Sequence, residues 1–96
     1  MTKSDDAKPG KSPTVIAHDE DAGGDPYGFH EGPGTPVETI IKQLYRKLGT
    51  ERREGDRLVC IGSGESVFAH GSEHLGDYAA VCPALEWGWS RKTGGA

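Results

Sequence analysis

The stretch Thr35 to Leu48, TPVETIIKQLYRKL, constrains the fold more than any other part of this chain. Val37, Ile40, Ile41, Leu44 and Leu48 recur at three and four residues and line one helical face, while Lys42, Gln43, Arg46 and Lys47 fall elsewhere. Thr35 stands as an N-cap, Pro36 as the first helical residue, and Glu38 as the acid that completes a capping box. Gly49 supplies the left-handed stop. A helix with one apolar face covers one layer, so the remaining residues must supply a sheet for it to pack on.

Composition limits that sheet. The chain has 96 residues, 33% of them apolar, with 15 glycines and 6 prolines, which suits one small domain with no deep catalytic cleft. A non-enzymatic protein is therefore expected. Thr14 to His18 is a β-rich run, and Tyr27 to Glu31 alternates aromatic with small or polar residues across the acidic stretch Asp19 to Pro26; together they predict a hairpin. Arg57 to Ile61 reads as a strand closed by Gly62-Ser63-Gly64, Val67 to Ala69 as a short returning strand, and Leu75 to Tyr78 as a turn or a single helical turn. In Ala84 to Trp89, Leu85, Trp87 and Trp89 alternate with Glu86 and Gly88, the pattern of a half-buried strand with both tryptophans facing the core and Trp89 the more exposed. The expected fold class is an α+β roll, a mixed four- to five-stranded sheet on one main helix over residues 14–90. Residues 1–13 are expected to form a disordered tail and residues 91–96 a flexible one.

Charge is divided unevenly. Residues 1–34 carry three lysines against seven acids, and the rest balances. No segment holds the basic excess of a nucleic-acid surface, no run is long and apolar enough for a membrane span, and no secretory leader is evident. A cytoplasmic monomer is expected. Cys60 and Cys82 lie in apolar surroundings without CxxC spacing and read as buried thiols rather than a bridge. His70 and His74 lack the helical context and paired cysteines that a zinc site needs, so neither metal nor cofactor is expected. Gly62 to Ser66 matches neither the hydrolase elbow nor the phosphate loop and reads as a turn.

The order of elements, the capped helix, the strand RLVCIG, the turn Leu75-Gly76-Asp77-Tyr78 and the spacing from Tyr78 to Gly94-Gly95 resemble ubiquitin and its β-grasp relatives over residues 14–95. Gly76 departs from the family's serine, and the acidic stretch replaces the leucine-bearing tip of the first hairpin. Ala96 follows the glycine pair, whereas the family reacts through a free glycine carboxylate. The resemblance therefore implies a protein modifier, made as a precursor, that loses Ala96 and is activated at Gly95. It also implies an E1-like activating enzyme, an E2-like conjugating enzyme and a zinc-dependent processing peptidase, as in a bacterial ubiquitin-like conjugation system.

Glycine's missing Cβ lets an extended tail pass through a narrow channel and lets its carbonyl be approached closely, which gives Gly94 and Gly95 a physical rationale. Arg91 and Lys92 would give that tail positive charge for docking. By resemblance, Val59 matches the apolar centre of the family's recognition patch, with Arg57 beside it and Trp89 nearer the tail as a further contact. Two other functions remain open: a sulfur carrier forming a C-terminal thiocarboxylate, and a β-grasp interaction module that is never conjugated.

Overall fold

A computed structural model describes residues 14–91. In chain order the elements are β1 (Val15–Asp19), β2 (Tyr27–Phe29), α1 (Val37–Leu48), β3 (Arg57–Cys60), a 3₁₀ turn (Val67–His70), α2 (Leu75–Tyr78) and β4 (Glu86–Ser90). The sheet order is β2-β1-β4-β3. β1 and β2 form the expected antiparallel hairpin, β4 runs parallel to β1 with Ala17 opposite Trp87, and β3 returns antiparallel to β4 with Leu58 opposite Trp89. This is a small α+β fold with a mixed four-stranded sheet and one main helix, an arrangement compatible with a β-grasp.

The core lies between the sheet and α1. Val15, Ala17, Phe29, Leu58, Cys60, Trp87 and Trp89 point inward from the strands, and Val37, Ile40, Ile41, Leu44 and Tyr45 meet them from α1. The two tryptophans point inward at period two, but Trp89 is buried, at 5% exposure, so its expected contact with partners is withdrawn. The Trp87 indole N–H and the Tyr78 hydroxyl are buried without a hydrogen-bond partner among the described residues, and their rings meet edge to face.

Three further expectations are corrected. The capping box does not form: helical geometry begins at Val37, and the Thr35 hydroxyl instead reaches the Glu31 carboxylate at 3.4 Å. The first amides of α1 are satisfied from elsewhere, Val37 N–H by the Glu73 carbonyl at 2.9 Å and Glu38 N–H by that of Gly71 at 3.0 Å. Tertiary carbonyls do the work that a side-chain cap does in an isolated helix. At the other end Gly49 has φ +76° and closes the helix as its sequence implied.

The Val67–Ala69 segment is not a strand but part of the 3₁₀ turn, which drops Val67 into the core while the bridge between Val59 and Ser66 covers the free edge of β3. Cys60 and Cys82 are joined as a disulfide, with Cα atoms 6.0 Å apart. The reading of both as buried thiols, made from their spacing and apolar neighbours, is overturned. They meet only because the 61–81 excursion, carried by the 3₁₀ turn and α2, brings the chain back beside the end of β3. Among the described residues, no helix is long and apolar enough to cross a membrane.

Candidate functional site

β4, the last strand among the described residues, lies between β1 and β3 in the interior of the sheet. Two loops receive it. On one side the Asp19 carboxylate accepts the Asp21 and Ala22 amides, both at 3.0 Å, and thereby folds the acidic stretch after β1 into a turn. The turn presents Asp21 to the end of β4, where its carboxylate accepts the Ser90 hydroxyl at 2.9 Å and the Arg91 amide at 2.7 Å. The Glu20 amide donates to the Trp89 carbonyl at 2.9 Å, extending the register past β1.

On the other side is the connection from α1 to β3. Its last residue, Asp56, has a side chain wholly shielded from solvent. Arg91 donates to it through Nε at 2.8 Å and Nη2 at 3.0 Å, a fork that fits a carboxylate with two parallel bonds. The Tyr45 hydroxyl donates to the same carboxylate at 2.6 Å, and the Arg53 amide at 2.9 Å. The rest of the Arg91 guanidinium goes to Thr50 Oγ1 at 3.0 Å and the Glu51 carbonyl at 2.7 Å. Its planar group also lies over Trp89, 5.3 Å from the ring centroid.

The electrostatics follow from these contacts. The hydrogen bonds from Arg91 hold the Asp56 carboxyl well below the usual carboxylate range, with Tyr45 and Arg53 adding to the effect against the opposing influence of burial. Burial, reinforced by the adjacent carboxylate, pushes the Tyr45 phenol up to about 12. Asp56 in turn raises Arg91 above the ordinary arginine value. The cluster is an anchor with fixed protonation states, not a set of groups poised to exchange protons near neutrality.

Arg91 is therefore not a free docking charge, and that expectation is corrected. Lys92, Gly94, Gly95 and Ala96 lie outside the described residues, as do residues 1–13. Val59 is on the outer sheet face as expected but half-buried, opposite Gly88, and Arg57 is exposed at the free edge opposite Ser90. Among the described residues, Ile61, just beyond β3, is the exposed large apolar side chain, at 41%. His18 and Glu86 pair across the same face at 2.7 Å, and the Glu20 carboxylate covers Gly88 where a side chain would otherwise sit.

His70 and His74 are not brought together. His70 Nδ1 contacts Glu73 at 2.6 Å and Nε2 contacts Glu65 at 3.5 Å, while His74 heads α2. The Glu73 contact is the main reason the His70 imidazole is raised above its ordinary value. An apolar groove of about 520 Å³ runs along α1, lined by Ile41, Tyr45, Thr50, Arg52 and Phe68 among others, with the Arg52 guanidinium 3.7 Å from the Phe68 ring centroid.

Reading the sequence missed Asp56, Tyr45 and Asp21. Tyr45 had a legible signal, since it stands four residues after Ile41 at the margin of the apolar stripe, and a buried tyrosine needs a polar partner. Asp56 and Asp21 had none, being two acids among many in charged loops. Compared with family models, curated proteins and solved structures, the chain matches none.

Proposed function

We propose that this chain is a β-grasp protein modifier, cut after Gly95, activated at the Gly95 carboxylate and joined to lysine amines of other proteins. One observation carries the reading: the strand that precedes Gly94-Gly95 in the sequence is interior to a mixed sheet, and the residue after it, Arg91, is anchored twice. A reactive terminus tethered to such a strand starts from a fixed point on the body that its enzymes must hold. The chain itself supplies no nucleophile or base. An activating enzyme would adenylate Gly95 and take it as a thioester, a conjugating enzyme would pass it on, and a peptidase would perform the first cut. Val59, Arg57 and the adjacent Ile61 offer the sheet face as the docking surface, with Lys92 on the tail. Activation by ATP implies the cytoplasm.

Intact-mass analysis of the protein after incubation with ATP and lysate from its native source tests this. Adducts on other proteins that vanish in Gly95→Ala support the reading, whereas adducts that persist in Gly95→Ala refute it. Exchange of one carboxylate oxygen for sulfur would point to a sulfur carrier.

A second reading, a β-grasp interaction module that is never conjugated, is favoured by the Cys60–Cys82 disulfide, which is foreign to a reducing compartment. A C-terminus left unmodified in both redox states would select it.

A further inference from the structure

We propose that Asp56 is a positioning residue for the C-terminal segment. It holds the Arg91 guanidinium beside the α1–β3 connection and withdraws it from any enzyme that handles the bond after Gly95. The functional part of this inference rests on the modifier reading; the anchoring part does not.

The argument starts from the chemistry of arginine. A guanidinium beside a Gly-Gly terminus is the natural handle for an acidic partner surface, because its five N–H donors can grip a carboxylate from several directions. Here Nε and Nη2 are given to Asp56, Nη1 to Thr50 and Nη2 also to Glu51, so these donors are already in use. Displacing Arg91 from Asp56 would leave the carboxylate with the Tyr45 hydroxyl and the Arg53 amide in place of four donors. A partner's carboxylate in solvent offers no matching gain, so exchange is disfavoured. The main chain is tied at the same residue, by the Arg91 amide to Asp21.

The anchor also sets a length. Gly95 is four residues beyond Arg91, and four extended residues reach about 14 Å at most. An enzyme acting at Gly95 must therefore bring its reactive atoms within that distance of the anchor, against the two loops that frame it. One is the acidic turn bearing Glu20 and Asp21, and the other is the connection bearing Arg52 and Arg53. Without Asp56 the Arg91 side chain would lose its fixed orientation while its amide remained tied to Asp21.

Cleavage by an arginine-specific protease, followed by mass spectrometry, tests the anchor with no conjugating enzyme present. A protease must take the Arg91 side chain into its own pocket, so cutting after Arg91 reports how often that side chain leaves Asp56. Cleavage after Arg91 is expected to be about tenfold faster in Asp56→Asn than in the unchanged chain. Tyr45→Phe, which loosens the same cluster but leaves both Arg91 bonds to Asp56, is expected to accelerate cleavage no further than its loss of folding stability does, and less than Asp56→Asn. Equal acceleration in the two variants, or ready cleavage after Arg91 in the unchanged chain, overturns the proposal. Should Asp56→Asn not fold, the Arg91 Nε–H of the unchanged protein decides by NMR: slow exchange with water supports the anchor, and exchange as fast as that of a free arginine overturns it.

With an activating enzyme in hand, Asp56→Asn is expected to raise KM for the modifier while leaving kcat within about twofold, the mark of a positioning residue. A verified anchor without any conjugation removes the modifier reading alone. Conjugation with unhindered cutting at Arg91 removes the anchor alone.

Discussion

The Trp89 indole N–H donates to the Tyr45 hydroxyl at 3.0 Å, in the interior between β4 and α1, and the rings meet edge to face with centroids 6.1 Å apart. Tyr45 passes its own proton toward Asp56, so one hydroxyl links the last strand, the main helix and the loop that anchors Arg91. Tyr45→Phe removes that link and leaves the Trp89 N–H buried without an acceptor. The expected loss is about 1–3 kcal/mol of folding stability in urea titrations, with the fold retained.

Acid should act on the same cluster. The Asp56 carboxyl titrates in the folded protein well below its unfolded value of about 3.9. Its contribution is therefore complete above that value and is lost as pH falls from there toward the folded pKa. Denaturation from pH 7 to pH 2 should show the unchanged protein losing stability below about pH 4, with Asp56→Asn flatter over that interval. Parallel curves for the two would contradict the assignment.

His70 has the opposite sign. Glu73 and Glu65 face its two ring nitrogens and Tyr78 lies against its ring, and the carboxylates raise it above its ordinary value. Its contribution is full below about pH 6.5 and fades as pH rises through the folded pKa. An NMR titration should find the imidazole above the ordinary range, and His70→Gln should abolish the part of the stability profile that declines toward alkaline pH.

Removing the Cys60–Cys82 bond should loosen one region first. It closes a loop with a sequence separation of 22, for which the chain-entropy account gives about 3 kcal/mol. Replacing both cysteines by alanine is expected to cost on that order. Hydrogen exchange should quicken through residues 61–81, including the segment whose carbonyls receive the first amides of α1. A uniform change across the chain would count against this local effect.

What the sequence determined by itself is whatever depends on neighbours along the chain. The apolar stripe from Val37 to Leu48, the Gly49 stop, the two inward tryptophans and the hairpin before α1 follow from period and turn chemistry, and all are present. What only the tertiary structure decided is whatever depends on residues brought together from far apart. Thr35 had every local qualification for a cap, yet the carbonyls of Gly71 and Glu73 serve the helix amides instead. Cys60 and Cys82 looked like separate thiols until the excursion between them folded back. Arg91 read as a charge at the base of a tail, and it became an anchor because Asp56, 35 residues earlier, stands shielded beside it. Local pattern can state that a shielded carboxylate will need a partner, but the partner's identity is settled by the packing that brings Arg91 over Asp56.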